Sequence, residues 1–485
     1  MSSSLAGKGA TQNTGAASVE DEGRFADALC VGEVVIAYLP THSRWKRASV
    51  VDIRRKRSSG LSSLFGETVQ FKAEDPMEGP EAFDYYVHYQ QMNRRHDRWI
   101  SWAEIRLITD SSESEEEEEE VQRASRSSKS VKRERDEDDD DEEEDEEDEE
   151  DLGDDEEDLE NDEDEVKDEE NDELEYSDES DHEGMNENDI VEWEKATKVK
   201  RIDKILLGGS VMETWYWSPF PNEFQDCALL YMCEFCLSFF REKSEFQWHC
   251  ASCKFRHPPG DEIYADPTTR MSVFEVDGFF ERVYCENLCY LSKLFLDHKR
   301  FDRFDVSNFY FYIVGEWVPR DVGDGFRLIG YFSKEKQSTN RNLSCIMSLP
   351  CFQRRGYGSF IIEFSYEISK IAKKMGTPER PLSDLGKRTY LRWWLQRILR
   401  VLKSRTDEPI SISELSQLTY ILPEDIKATL EEYKLLYYYK GQYHIALPPD
   451  RLKLLWVDDN PSHVRVNPLF LHWTPLELPD PNIEL

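Results

Sequence analysis

The chemistry legible in this chain sits on four metal-ligand residues and one glycine-rich loop. Cys233 and Cys236 are separated by two residues, twelve more lead to His249, and three further to Cys253. Two thiolates from a tight turn and a His/Cys pair one helical turn apart supply the sulfur and imidazole donors that zinc accepts, and they fill a tetrahedron. No position is left for water, so such a metal is structural. The alternative, cysteines and a histidine merely packed in a core, leaves the spacing unexplained. Cys250, next to His249, is off the ligand phase and reads as a bystander. One finger of this spacing also occurs in DNA-reading proteins, a weak argument when it stands alone.

The second constellation begins at Cys345, Ile346, Met347 and Ser348, which with Leu349 and Pro350 read as a strand. Gln353, Arg354, Arg355, Gly356, Tyr357 and Gly358 follow as a turn. Then Phe360, Ile361, Phe364, Ile368, Ile371, Ala372 and Met375 recur at helical spacing. Glycines let backbone N–H groups approach a ligand, the helix start is electropositive and two arginines add charge, so the expected ligand is a pyrophosphate. The pattern lacks the Gly-Lys-Ser/Thr ending of a Walker loop and the glycine spacing of a dinucleotide fingerprint. Gln-Arg-x-Gly-x-Gly is instead similar to the loop of coenzyme A acetyltransferases.

These residues need elements to hold them. With 485 residues, 39% of them hydrophobic, the chain has room for two or three packed domains. The formal net charge of −41 belongs entirely to residues 110–192, which hold 48 acidic against 7 basic residues; the rest is balanced at 53 of each. Zinc-type cysteine spacing, no apolar leader at the N-terminus and no run near the roughly 18 apolar residues of a membrane span predict a soluble intracellular protein. Residues 1–28, rich in Ser, Gly, Ala and Thr, read as a disordered tail. Residues 29–109 read as short strands at Val34–Tyr38, Ala48–Ile53, Tyr85–Tyr89 and Trp99–Trp102, which suit a small curled barrel. Residues 110–188 read as an acidic disordered linker. Within it, Lys129, Lys132, Arg133 and Arg135 form a basic island that suits either a nuclear localisation signal or charge compensation.

From about Asp189 onward, six blocks in order resemble the MYST family of lysine acetyltransferases. They are Cys233–Cys236 with its flanks, His257–Tyr264, Asn287–Lys299, Gly330–Lys336, the Gln353 loop and Pro378–Gly386. The resemblance implies an α/β, GNAT-like core in residues 257–400. A structural zinc finger in residues 231–256 precedes it, and a helix-turn-helix, winged-helix-like region in residues 401–485 follows. Ser411–Leu418 and Pro423–Tyr433 read independently as helices, and Leu436–Leu447 as a hairpin turning at Lys440 and Gly441. It also implies acetyl-coenzyme A as co-substrate, Glu379 as general base and Cys345 as an assisting thiol. Backbone contacts to the cofactor are expected from Ile346, Met347 and Ser348, with Ser359 and Ser383 near it, and Lys299 is the expected self-acetylated lysine. The base has a physical task, since a lysine ammonium near pKa 10.4 cannot attack a thioester until a carboxylate takes its proton. Without the resemblance, Glu379 would read as a salt-bridged surface residue and Lys299 as an exposed lysine after a strand.

Three departures stand out: Ser359 where the family usually has Lys, Cys351 after Pro350, and a stretch Arg300–Phe304 one residue longer than its counterpart. The N-terminal segment resembles a chromo-barrel. Tyr38, Trp45, Tyr86 and Trp99 are its candidates for a methyl-lysine cage, core packing being the alternative. Arg44, Lys46, Arg47 and Arg54–Arg57 suit nucleic-acid phosphates or a solvated face. The reading is therefore a nuclear histone acetyltransferase acting on tails of histone H4 or a variant of histone H2-A, on nucleosomes and within a multi-subunit chromatin complex. Its alternatives are a catalytically silent chromatin scaffold, which has no need for Glu379, Cys345 and the loop together, and a zinc-finger DNA-binding protein, which the balanced charge of the folded parts argues against.

Overall fold

The structure is a computed structural model; it describes residues 29–56, 79–108, 197–297, 299, 305–318, 325–405, 410–439, 442–456 and 464–475. The N-terminal stretch, the acidic tract with its basic island, and Arg300–Phe304 lie outside the described residues. The chain divides into two compact units, Met1–Tyr176 and Ser177–Leu485.

The first unit is an antiparallel sheet of β1 (Val34–Leu39), β2 (Arg44–Arg55), β3 (Phe83–Tyr89), β4 (Arg98–Ser101) and β5 (Ile105–Arg106), ordered β4-β3-β2-β1-β5. Period-two alternation turns Val35, Ala37, Leu39, Ala48, Val50, Tyr85, Val87, Tyr89 and Ile100 into one buried cluster. The buried Tyr89 hydroxyl donates to the Tyr38 carbonyl at 2.7 Å, which satisfies its polar end. β2 begins four residues before the strand expected from sequence. Arg44, Trp45, Lys46 and Arg47, outside the expected strand, pair with β1 from Leu39 back to Ile36.

In the second unit β6 (Lys204–Leu207), β7 (Ser210–Glu213), β8 (Leu230–Met232) and β9 (Phe239–Phe240) form a small sheet, followed by α1 (Lys243–Ser252). The central sheet is antiparallel in the order β10-β11-β12-β13-β15, from β10 (Asp261–Ala265), β11 (Met271–Asp277), β12 (Phe309–Val318), β13 (Gly325–Glu335) and β15 (Ile346–Ser348). Both faces are covered. On one, Phe274, Phe311, Ile313, Tyr331 and Met347 pack with Leu288 and Leu291 of α2 (Arg282–Lys293) and with Leu230, Met232 and Leu237 of the zinc module. On the other, Tyr312, Val314, Ile329 and Phe332 pack against Phe360, Ile361, Phe364 and Ile368 of α3 (Tyr357–Ile371).

Two short strands leave this sheet: β14 (Arg341–Leu343) pairs in parallel with β16 (Thr377–Pro378). Beyond them α4 (Asp384–Ser404), α5 (Ile412–Thr419) and α6 (Pro423–Glu432) share a core of Tyr390, Trp394, Ile398, Leu415, Ile426 and Leu430. The Ser411/Glu414 capping box starts α5 one residue inside the expected helix. The hairpin β17 (Leu436–Tyr439) and β18 (Gln442–Ile445) lies where expected, its turn outside the described residues, and α7 (Pro449–Leu455) follows. Residues 464–475 return to the sheet: the His472 amide donates to the Ile263 carbonyl at 2.8 Å and Trp473 Nε1 to Glu275 Oε2 at 2.7 Å. Among the described residues no helix is long and apolar enough to cross a membrane.

Candidate active site and zinc centre

The zinc-type residues converge as their spacing demands. Cys233 and Cys236 flank the turn after β8, closed by the Leu237 amide donating to the Cys233 carbonyl at 2.9 Å, while His249 and Cys253 come from the last turn of α1 and its end. Their four donor atoms lie within 4.8 Å of one another. Cys233 Sγ stands 4.0 Å from Cys253 Sγ and Cys236 Sγ 3.2 Å from His249 Nε2. Zinc–sulfur bonds of about 2.3 Å give tetrahedral edges close to these separations, so the donor set fits one four-coordinate ion. The Cys236 thiol is pulled down to about 4, first by the hydrogen bond from Cys233 and then, against burial, by Ser238. A thiolate is the form that binds metal. Cys250 is exposed and outside this cluster.

β15 ends in a short 3-10 turn, and Gln353 then ties the loop back, its Nε2 donating to the Ser348 carbonyl at 3.1 Å. Arg354 and Gly356 take left-handed conformations at φ +60° and +84°, so the chain reverses and α3 starts directly at Tyr357. The first amides of that helix, from Tyr357, Gly358 and Ser359, have no acceptor within it, and the exposed Arg354 and Arg355 precede them. A Cβ on Gly358 would stand 3.8 Å from Thr389 of α4 and 4.0 Å from Ser348 Oγ. Ser383, expected near the cofactor, caps α4 by accepting from the Gly386 amide at 3.1 Å. Ile346, Met347 and Ser348 form the edge strand β15, opposite Phe332, Tyr331 and Gly330. Gly330 is required there, because a Cβ would lie 2.4 Å from the Met347 carbonyl oxygen.

Cys345 precedes β15 and is held by Ser333, whose amide donates to the Cys345 carbonyl at 2.9 Å while its hydroxyl accepts from the Cys345 amide at 3.2 Å. Lys299 Nζ donates to Cys345 Sγ at 3.6 Å. This corrects the view of Lys299 as an exposed lysine after a strand: it follows a helix, and its half-buried side chain turns toward the thiol. Burial keeps Cys289 and Tyr331, which face the same region, above their ordinary values. Glu379 follows β16, where the Leu343↔Pro378 register and the Glu379 amide, donating to the Leu343 carbonyl at 2.8 Å, set it level with Ser344, the residue before Cys345. Its carboxylate faces Arg341 at 3.6 Å, an ion pair sequence reading missed because the partners lie 38 positions apart and meet only through the β14–β16 pairing. Arg380 is anchored by Asp425 at 2.6 Å.

The four cage candidates of the first unit include two neighbouring aromatic pairs. Tyr38 pairs with Trp45 at 5.5 Å between ring centroids, and Tyr86 with Trp99 at 5.3 Å. Trp45 faces β1 at the start of β2, whereas Tyr86 sits opposite Asp52, well along that strand. Tyr86 is buried, while Tyr38, Trp45 and Trp99 are partly exposed. The indole faces are also in use: Arg106 lies 3.9 Å over Trp45 and Arg54 4.2 Å over Trp99. Each indole thus takes part in a cation–π stack.

Three segments of the chain match known families. Residues 257–469 match the MOZ/SAS family, residues 199–253 the MYST family zinc finger domain, and residues 29–107 the family described as RNA binding activity-knot of a chromodomain. Histone acetyltransferase of the MYST family 2 of Arabidopsis thaliana is 48% identical over 295 residues, covering 61% of this chain and 64% of that protein. Histone acetyltransferase of the MYST family 1 from the same plant is 41% identical over 372 residues, covering 76% and 73%. The chain belongs to the MYST family. A rice relative, Putative MYST-like histone acetyltransferase 1, is 39% identical over 397 residues, covering 82% of this chain and 78% of its own length.

MYST acetyltransferases take their acetyl group from acetyl-coenzyme A, and a zinc finger belongs to their domain. The residues present suit both: the cradle at the start of α3 offers backbone N–H groups and arginines to a pyrophosphate, and the Cys/His cluster offers a closed zinc site. Bound there, the co-substrate would supply an activated thioester carbonyl.

Proposed function

We propose that this chain, acting in the nucleus, transfers acetyl groups from acetyl-coenzyme A to the ε-amine of histone-tail lysines. The observation that carries this reading is the β14–β16 pairing, which brings Glu379 alongside the segment that leads through Cys345 into the edge strand and the α3 cradle. Residues 189–485 serve as the catalytic domain. Cys233, Cys236, His249 and Cys253 hold a structural zinc. Gln353–Ser359 take the pyrophosphate through backbone amides and the arginines, the backbone of Ile346–Ser348 lines the pantetheine, and Ser383 stiffens the neighbouring helix start.

Glu379 removes a proton from the incoming ammonium, and the neutral amine attacks the thioester carbon. The carbon–sulfur bond then breaks as the amide forms, and coenzyme A leaves as a thiol after taking up a proton. Transfer is direct, with Cys345 shaping the pocket. Lys299, 3.6 Å from that thiol, is the expected site of self-acetylation. Names of relatives support histones as substrates; within that class the choice is histone H4 or a variant of histone H2-A, met on nucleosomes within a multi-subunit complex.

The test is recombinant full-length protein incubated with acetyl-coenzyme A and separate core histones, read by mass spectrometry. Wild type labels a histone tail, and Glu379→Gln falls by at least ~100-fold at neutral pH, the scale of a lost general base. Equal labelling by both would remove Glu379 from the mechanism, and no labelling by zinc-loaded wild type would refute the reading as a whole.

A further inference from the structure

A hydroxyl beside the proposed base has no visible occupation. Ser344 Oγ is shut away from solvent and has no hydrogen-bond partner among the described residues. Its backbone is spoken for, since the Ser344 amide donates to the Ser333 carbonyl at 2.7 Å and the next residue, Cys345, also pairs with Ser333. Two residues thus oppose one, the arrangement of a β-bulge, which re-aims side chains and recurs next to active sites. The packing agrees. Leu343 and Ile346 both pack on the α3 side of the sheet, although strict alternation would separate residues three apart, so Ser344 and Cys345 share the opposite side.

The neighbour across the ladder is Glu379. Leu343 opposes Pro378 in parallel register, both are buried, and the Glu379 amide extends the ladder. Ser344 and Glu379 are the residues that follow, one on each strand. The carboxylate leans on half-exposed Arg341. To meet an amine beside Cys345 it must turn from Arg341 toward the bulge, where Ser344 stands between the two.

We propose that Ser344 is a positioning residue for acetyl transfer: its hydroxyl donates a hydrogen bond to the Glu379 carboxylate once the substrate amine is in place. A buried hydroxyl without a partner weakens a fold, whereas one that meets a carboxylate during turnover forms a charge-assisted bond that fixes the base. Ser344 takes no proton itself; it donates one hydrogen bond and acts through Glu379. This rests on Glu379 being the base.

The experiment is a double-mutant cycle on the full-length protein with acetyl-coenzyme A and a histone-tail peptide, using Ser344→Ala, Glu379→Gln and the pair. Ser344→Ala is expected to lower kcat about fivefold, leave KM for acetyl-coenzyme A unchanged and move the acid limb of the kcat/KM profile to higher pH. Its Tm stays equal or rises, because no bond of the resting fold is lost. Added to Glu379→Gln, it costs nothing further. Equal losses in both backgrounds, or an unmoved acid limb with full kcat, would overturn the role of Ser344. Wild-type kinetics in Glu379→Gln alone would instead sink the base itself, an outcome read without any Ser344 variant.

Discussion

Arg341, which faces the proposed base, and Cys345, which lies two residues beyond its ladder partner Leu343, can be told apart by what their loss does. Arg341 and Glu379 are both about half exposed, so their ion pair contributes at most ~1 kcal/mol and is screened by salt. Arg341→Ala is therefore expected to leave the thermal midpoint nearly unchanged, as calorimetry would show. A large drop would mean that Arg341 holds β14 and β16 together. For Cys345, direct transfer predicts that Cys345→Ala retains turnover within about tenfold of wild type while Glu379→Gln does not. Detection of a stoichiometric acetyl-cysteine by mass spectrometry in the absence of peptide would instead favour a relay. At this scale the zinc ligands were legible from spacing alone, because a turn and one helical period fix the distances between donors. Glu379 was legible only through its block of neighbours, since a glutamate between prolines declares no partner in sequence. Ser344 and Arg341 gave no signal at all.

At the scale of elements, two contacts decide whether the site assembles. Gly330 lets β15 lie against β13; Gly330→Ala drives a methyl group into the Met347 carbonyl, so a loss of about 1–3 kcal/mol and a larger fall in cofactor affinity are expected from thermal melts and titration calorimetry. The second contact straps residues 464–475 to α3. Burial pushes the Glu363 carboxyl above its ordinary 4.5, with Arg465 and the Val466 amide pulling against it. A carboxyl with a raised folded-state value holds its proton more tightly when folded, so its favourable contribution is complete below the unfolded value and is lost as pH rises through the folded one. Glu363→Gln should match wild type near about pH 4 and melt higher than wild type near about pH 8. A difference in Tm that is constant with pH would refute this. Helix periods and the capping serine of α5 were legible because they are local. The start of β2, the brief β5 and the β14–β16 pair were not, because a strand's partner, rather than its own residues, makes it a strand.

For the whole molecule, zinc and the sheet stand or fall together. Leu230, Met232 and Leu237 of the zinc module share one core with α2 and with Phe311 and Tyr331 of the central sheet. Chelation should therefore lower the melting temperature of the entire catalytic unit by more than about 10 °C while releasing one zinc per chain. Release of zinc without a change in melting would show the module to be an appendage. In the sequence alone, the resemblance of its blocks identified the family, while composition and spacing marked out a zinc-type Cys/His set, a glycine-rich loop of the kind that binds phosphate, and the confinement of the net charge to one tract. Each of these is either local or carried by blocks of contiguous residues. Tertiary structure alone decided that Lys299 turns toward Cys345, that the β14–β16 pairing sets Glu379 against Arg341 and the Leu343 carbonyl, and that Tyr38 pairs with Trp45 and Tyr86 with Trp99. Those outcomes depend on strand pairing, bulges and sheet curvature, through which residues distant in the chain acquire neighbours that no spacing along it records.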